Sequence, residues 1–298
     1  MRVFVTGATG FIGSEVVKDL IAAGHQVLGL SRSKEKSAAL AATGAEVLIG
    51  TIEDENVLRK GASESDGVIH LAFNHDFSNF VANCEDDRRV VTALGTALIG
   101  SNRPLLVTSG APIAKTVPGE PAKENNAILS SKVHPRAITE ETAKDMADKG
   151  VNMTVVRLPQ VHDTKRQGLI SPVIEIYCAK GFCAYVGDGS VSWPAAHVTD
   201  VARLYRLAVE RAEPNAKYHA VAEEGVSMRD IAETLAKRLK LPAKSITMEE
   251  APAFFGWLAM FAGHDMRSSS ELTRKLLNWN PTGPGLLHDL ERLELPNA

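Results

Sequence analysis

The sequence predicts an α/β protein: a doubly wound parallel sheet covered by helices on both faces, followed by a smaller and less regular capping region. Three features predict it. Short β-branched runs alternate with helix-like stretches through the first half of the chain, the pattern of buried strands joined by crossover helices. A glycine-rich turn, TGATGFIG at 6–13, joins the first such run to the first helical stretch. After about residue 160 the alternation gives way to loops marked by glycine and proline.

Taken in order, RVFVTG (2–7) is the first strand and SEVVKDLIAAG (14–24) the first helix, closed by Gly24 where a helix C-terminus favours glycine. HQVLGLSR (25–32) is the second strand, SKEKSAALAATG (33–44) the second helix and AEVLIG (45–50) the third strand. GVIHLAF (67–73) is the fourth strand, a helix covers 83–101, and RPLLVTSG (103–110) is the fifth strand. A helix over 135–149 leads into VNMTVVRLP (151–159), the sixth. Residues 1–160 therefore read as a dinucleotide-binding domain. Residues 161–298 read as a substrate-binding region with helices at 199–212 and 227–240, a short strand KYHAVA (217–222), and a segment returning to the first domain.

The 298 residues are 44% hydrophobic and 23% charged, an ordinary globular balance, and the formal net charge of -3 provides no basic field for a polyanion. Nucleic acid is not an expected partner. The longest apolar run, APAFFGWLAMFAG at 251–263, is shorter than the roughly 20 residues a bilayer requires, so it reads as a buried helix or a flap beside the substrate, and no membrane partner is expected. The chain opens on a strand pattern rather than a signal peptide, which makes a cytoplasmic location the expectation. Cys84, Cys178 and Cys183 lack zinc or redox spacing and the histidines form no HExxH, so no metal is expected.

In TGATGFIG, Gly7, Gly10 and Gly13 are spaced GxxGxxG, after a strand and at the opening of a helix. That context seats a dinucleotide pyrophosphate on a helix N-terminus. Gly7 permits the tight turn, Gly10 lets the backbone approach the phosphates, and Gly13 lets helix and strand pack closely; the plainer alternative is a structural turn. The expected fold is thus Rossmann-type, with a C-terminal substrate-capping region. An acid at the end of the second strand would accept hydrogen bonds from the ribose 2′-OH of NAD. Here stand Ser31, Arg32, Ser33 and Lys34, with Lys36 close behind. A guanidinium with neighbouring hydroxyls suits a 2′-phosphate, so NADP(H) is expected over NAD(H), unless these are only solvated residues of a helix start.

TGATGFIG, VIHLAF, VTSG, VVRLPQV, VGDGSVSWPAAHVTDVA and LLNWNPTGPGLLHDL, in that order, resemble the extended branch of the short-chain dehydrogenase/reductase superfamily. The chain is most similar to the atypical members described as NAD-dependent epimerase/dehydratase-like. The resemblance implies that Thr9, Phe11 and Ile12 touch the pyrophosphate, Thr51 and Ile52 flank the adenine, and Leu71, Ala72 and Phe73 border the ribose. It places Pro159 to Val161 on the nicotinamide side and implies a homodimer. It also implies proton transfer by a serine after the fifth strand and a tyrosine and lysine four residues apart on the next helix. Ser109 is the candidate serine, with Gly110 or Ala111 in its place if the register shifts. The tyrosines, Tyr177, Tyr185, Tyr205 and Tyr218, all follow that helix, and no YxxxK occurs. Aligning the family's lysine and following glutamate with Arg136 and Glu140 puts the tyrosine position on Lys132, so the motif is KxxxR. The asparagine of the preceding helix is absent too, and Asp87 is the nearest polar stand-in.

The stretch SSKVHPRAITEE (130–141) therefore holds the candidates for proton transfer. Lys132 is a donor if Arg136 or burial destabilises its charge, and otherwise an exposed loop lysine. His134 has the intrinsic pKa for acid-base work near neutrality, but Pro135 holds it extended, outside the helix, and leaves its direction open. Arg136 stays charged; it holds the ribose or polarises a carbonyl, or it pairs with Glu140 four residues on. His162, Trp193 and His197 are candidates for the opposite pocket wall, the alternatives being a link from His197 to Asp200 and core packing for Trp193. His75, with Asp76, lies at the pocket rim or in a solvated loop. The expected function is an NADP(H)-dependent oxidoreductase of the carbonyl reductase or alcohol dehydrogenase type, acting on a small-molecule carbonyl or alcohol without a tyrosine acid. A sugar-nucleotide or related epimerase/dehydratase ranks second, because residues 169–200 offer a diphosphate only Lys180. A non-catalytic NADP(H)-binding sensor is the third reading.

Overall fold

The computed structural model describes residues 1–114, 116–117 and 119–294. Its first half alternates as the pattern predicts: β1 (Arg2–Thr6), α1 (Phe11–Ala22), β2 (Gln26–Ser31), α2 (Lys34–Ala41), β3 (Glu46–Ile49), α3 (Glu55–Ser63), β4 (Gly67–His70), α4 (Phe80–Thr96) and β5 (Pro104–Gly110). A 3-10 turn at Pro135–Ala137 opens α5 (Ile138–Ala147), which leads to β6 (Asn152–Leu158) and the short β7 (Gln160–His162). Then come α6 (Ile170–Lys180), β8 (Cys183–Val186), β9 (Ser192–His197), α7 (Val198–Arg211), β10 (Lys217–His219) and β11 (Glu223–Ser227). The last elements are α8 (Met228–Leu239), β12 (Ala243–Ile246), α9 (Ala251–Phe255), α10 (Ala259–Ala262), α11 (Glu271–Leu277) and α12 (Leu286–Glu291).

Among the described residues the main sheet has the order β10-β6-β5-β4-β1-β2-β3, and its pairings are parallel. The chain reverses direction across the sheet between β1 and β4, and a doubly wound sheet binds its ligand beyond the strand ends at such a switch point. Alternation of side chains explains the two layers. Val3 and Val5 enter the core shared with α1 and α7, whereas Phe4 enters the core beneath α3 and α4, and all three are fully buried. Each such side chain contributes about 1.5–3 kcal/mol through burial. α7 and β10 lie in this same assembly, α7 against α1 and β10 beside β6. A separate core joins α6, β8, α8, α9 and α12 around Trp193.

Three differences from the sequence pattern affect the site. The first helix starts at Phe11, not at residue 14, so Phe11, Ile12 and Gly13 form its opening turn. α3 is short and polar and is marked chiefly by its N-cap Asp54, which accepts from the backbone N–H groups of Asn56 and Val57. The strands β7, β9 and β11 form a small sheet of their own, and β8 pairs with β12; their brief, glycine-interrupted runs give little alternation to read.

The start of α5 is held by a buried ion pair. Arg157 on β6 donates through Nε and Nη2 to the two carboxylate oxygens of Glu140, at 2.8 and 2.9 Å, and both side chains are buried. Nη1 of the same arginine lies 3.1 Å from His219 Nε2 and donates to the backbone carbonyl of Glu124. Glu124 in turn accepts from Thr273 at the start of α11. The loop between β5 and α5 is thereby tied to both halves of the chain.

Candidate active site

Glycine spacing becomes geometry at the β1–α1 turn. Gly7 has φ +69, and a Cβ there would lie 2.8 Å from Ala72 N and 2.9 Å from the Leu71 carbonyl carbon. A Cβ on Gly13 would come within 2.0 Å of the Gly7 carbonyl oxygen, so helix and strand touch backbone to backbone. Gly10 is the N-cap of α1; its N–H donates to Gly7 O at 2.8 Å, and no side chain caps the helix. Thr9, Phe11 and Ile12 are half-buried around this bare helix end, where a phosphate group meets uncapped N–H groups and the positive end of the helix dipole. The residues therefore fit a dinucleotide pyrophosphate. Arg166, which sequence reasoning passed over as part of a polar loop, sits 6.0 Å above the Phe11 ring and adds positive charge there.

At the adenosine end, Ser31 is buried with its hydroxyl donating to Ser33 O, Arg32 is exposed, and Ser33 caps α2. Ile52 lines a small cleft with Glu53, Glu55, Asp86, Arg89 and Val90. A hydrogen bond from Thr51 and then a backbone hydrogen bond hold the Glu53 carboxyl below the usual range against burial, with a lesser contribution from the Arg32 charge. Leu71, Ala72 and Phe73 are half-buried where the chain leaves β4, with Leu71 N donating to Thr6 O and Ala72 N to Thr6 Oγ1. Pro159 is half-buried, whereas Val161 packs its side chain into the main core.

Beyond the ends of β4 and β5 lies a polar network that sequence reasoning found only in part. Arg136 does not pair with Glu140, whose carboxylate is already taken by Arg157. Its Nη1 donates to Asp87 at 2.7 Å, its Nη2 to the Thr108 carbonyl at 2.7 Å, and it also bonds Thr139. The guanidinium lies 4.2 Å over the Phe73 ring. Asp87 accepts from Thr139 as well, and its other oxygen lies 3.0 Å from His70 Nε2. His70 Nδ1 lies 2.6 Å from Thr6 Oγ1. The carboxylate can only accept, so Nε2–H donates to it, and in the neutral ring Nδ1 then accepts from the Thr6 hydroxyl. Burial pushes the Asp87 carboxyl up, but the Arg136 charge and the bonds from His70 and Thr139 outweigh it and hold the group well below the usual carboxylate range. A chain thus runs from the nucleotide strand through Thr6, His70 and Asp87 to Arg136.

The other candidates separate clearly. Ser109 Oγ and His134 Nδ1 are both buried and without a hydrogen-bond partner among the described residues. Ser109 follows the residue whose carbonyl holds Arg136, and His134 stands two positions before Arg136. His134 is extended at φ -131 and ψ 103, as Pro135 requires, with its ring edge-on to Phe80 at 6.4 Å. Burial lowers its imidazole pKa, and the Arg136 charge lowers it further against one opposing backbone hydrogen bond. Lys132 is exposed on the turn before α5. No tyrosine stands at the Lys132 position: Tyr177 and Tyr218 are fully buried and Tyr185 nearly so, and the fully buried Tyr205 places its hydroxyl 2.7 Å from Thr108 Oγ1. His75 is exposed in the loop after β4 with its ring edge-on to Phe73, and Asp76 caps the next turn.

The second wall departs from expectation. Trp193 is fully buried in the separate core, because its inward position on β9 takes the largest side chain; it lines no pocket. His162 is also fully buried, with Nδ1 2.8 Å from Asp289 and Nε2 4.0 Å from Glu223. His197 does not link to Asp200. Its Nδ1 lies 2.8 Å from Thr199 Oγ1 at the start of α7, and Asp200 instead accepts from Arg203 and from the backbone N–H groups of Thr282 and Gly283. Among the described residues no hydrogen bond or ring contact joins His162, Trp193 or His197 to the Arg136 network. They anchor the C-terminal segment, for which Asp289 was the unread signal.

Comparison with known proteins agrees with this fold. An uncharacterized protein of Schizosaccharomyces pombe is 43% identical over 291 residues, covering 97% of this chain and 98% of the relative. A ketoreductase of Stigmatella aurantiaca is 26% identical over 248 residues, covering 77% of this chain and 70% of the relative. A nucleoside-diphosphate-sugar epimerase from Pseudomonas aeruginosa shares the fold, with a TM-score of 0.78 at 21% identity over 98% of this chain and 96% of that one. The glycine cradle, the parallel sheet and the match to the family over residues 3–222 lead to one assignment: the chain belongs to the NAD dependent epimerase/dehydratase family, within the short-chain dehydrogenase/reductase superfamily of NAD(P)-dependent enzymes.

Proposed function

We propose that the chain is an NADP(H)-dependent oxidoreductase that interconverts a small-molecule carbonyl and its alcohol. The observation that carries this reading is Arg136, read by alignment with the family's lysine and fixed by Asp87 and the Thr108 carbonyl, with the buried, unpartnered Ser109 Oγ one residue beyond that carbonyl and His134 Nδ1 two residues before Arg136. Bound NADP(H) supplies or accepts the hydride. Arg136 holds a permanent positive charge beside the end of β5, where it polarises a carbonyl oxygen or steadies an alkoxide. Ser109 donates a hydrogen bond to that oxygen. His134 exchanges the proton: with its pKa lowered by burial, the imidazole is neutral near pH 7 and ready to accept a proton from an alcohol. In the reducing direction it must be protonated, so carbonyl reduction rises as pH falls toward that lowered pKa. The relative named as a ketoreductase supports carbonyl chemistry.

The test is NADPH oxidation across a panel of carbonyl compounds. Changing Ser109 or His134 to alanine is expected to lower kcat about 100-fold with little effect on NADPH binding, the scale of a lost acid-base or oxyanion group. Lys132→Ala is expected to stay near the wild-type rate, and the reverse ranking would move the acid to Lys132. Turnover of a nucleotide sugar without net NADPH consumption would replace this reading with epimerisation.

Cofactor preference follows from the end of β2, where Arg32 is exposed and Lys34 and Lys36 are exposed behind it. Arg32 is read as the partner of a 2′-phosphate. Arg32→Ala should raise KM for NADPH by about 10- to 100-fold, the worth of a charge-assisted hydrogen bond, and leave KM for NADH unchanged. An NADH preference in the unaltered protein would overturn the assignment.

A further inference from the structure

The polar network at the reaction end does not stop at Arg136; it passes into a run of rings. Phe73, beneath the Arg136 guanidinium, is edge-on to Phe80 at 6.3 Å. Phe80 stacks with Phe77 at 5.6 Å and meets His134 edge-on. Phe77 stacks on Trp257 with centroids 4.3 Å apart and planes 17° from parallel. Trp257 is 43% exposed, and Val81 and Val133, beside two members of the run, are exposed as well. A continuous aromatic surface therefore leads from the candidate proton-transfer group to solvent.

This surface is built by two distant segments, the loop after β4 and the 3-10 turn between α9 and α10. Among the described residues no hydrogen bond joins residues 73–80 to 251–263; ring contact is what bridges them. Charge is nearly absent: residues 71–83 contain Asp76 as their one formal charge, and residues 251–263 contain none. A diphosphate-bearing substrate would meet one carboxylate and, short of Arg136 itself, no cation within these two segments. A flat apolar molecule would exchange the protein's own ring stack for one with itself, and its carbonyl would lie toward Arg136.

Resting on the proposed carbonyl chemistry, we infer that the substrate is a flat, uncharged carbonyl compound with an aromatic or conjugated ring system, held by the Phe77–Trp257 stack. Stacking depends on offset, near-parallel ring faces, which a saturated chain or a puckered ring cannot supply.

The test compares NADPH-dependent reduction of acetylnaphthalene with that of a straight-chain methyl ketone of similar length, in the wild type and in Trp257→Ala, Trp257→Phe and Phe77→Ala. The expected result is a preference of about tenfold or more in kcat/KM for the aromatic ketone, the scale of one stacked ring. Trp257→Ala and Phe77→Ala should lose it, Trp257→Phe should keep it, and NADPH affinity should be unchanged throughout. Equal use of both ketones overturns the inference and leaves the proposed activity standing. If neither ketone is reduced, the activity fails instead, and calorimetry of acetylnaphthalene with the NADP⁺-loaded protein then decides the binding question. Binding that weakens about tenfold in Trp257→Ala supports the aromatic site, and no binding, or equal binding, overturns it.

Discussion

Replacing Asp87 by alanine is expected to lower NADPH-linked turnover by at least about 100-fold and to destabilise the fold by about 3 kcal/mol. The stability loss follows because Arg136 is only 12% exposed and would keep its charge without its counter-ion, the costly way to break a buried pair. Turnover falls because the guanidinium, released from its one charged anchor, no longer holds its place beside the end of β5. Asp87 is a positioning residue, so a purely structural role must be separated from this one. Asp87→Asn keeps the shape and the hydrogen bonds to Arg136 and Thr139 but loses the charge. It should recover only the part of the stability at pH 7 that shape and hydrogen bonding supply, because Arg136 still lacks its counter-ion, while leaving kcat well below wild type. The acid limb supplies a second readout. Because the folded-state pKa is depressed, the stabilisation is fully present above the ordinary carboxylate pKa and is lost as pH falls from there through the lowered value. The wild type should lose stability in that acid window, and the asparagine variant should lose less. An unchanged kcat in both variants would remove the network from the mechanism.

Gly13→Ala should be comparably severe by a different route. Its Cβ would stand 2.0 Å from the Gly7 carbonyl oxygen and 2.8 Å from the Gly7 carbonyl carbon, both backbone atoms with no rotamer to yield. Helix α1 must then move off β1, carrying the bare helix end away from where a pyrophosphate sits. We expect NADPH affinity to fall more than about 100-fold, with a stability loss of about 3 kcal/mol, the upper end of overpacking. Gly24→Ala is the control. Gly24 also has positive φ, +84, but a Cβ there meets open space, so it should cost only about 1–2 kcal/mol of backbone strain and leave NADPH binding intact. Fluorescence titration with NADPH, alongside thermal melts of both variants, separates the two effects. Normal affinity in Gly13→Ala would show that the turn does not hold the cofactor.

Local signals dictated the sheet and its cofactor turn, and local signals are what a sequence displays. GxxGxxG after a β-branched run implies contacts within a few residues, and each appears in the structure as a close backbone approach. The reaction end depends instead on contacts far apart in the chain. His70 reads as an inward strand residue and Asp87 only as the nearest polar stand-in for a missing asparagine, until β4 and α4 bring them to 3.0 Å. Arg136 had a plausible neighbour in Glu140, and the pairing was decided by Arg157 from β6, which the helix pattern alone does not reveal. Trp193 and His162 follow the same logic in reverse: the residues suit a pocket, but Trp193 is buried in the separate core and His162 is buried against Asp289 of the C-terminal segment. His134 lay between these cases. Pro135 fixed its backbone, while the direction of its ring depended on Phe80 across the loop.

Hydride exchange with a carbonyl carbon beside Arg136 can be followed by deuterium transfer. With NADPH deuterated at the transferable nicotinamide C4 position and a carbonyl substrate drawn from the panel, the proposed activity predicts one deuterium at the carbinol carbon per NADPH consumed, greatly slowed in Asp87→Ala. NADPH that binds tightly yet delivers no deuterium to any carbonyl would contradict it.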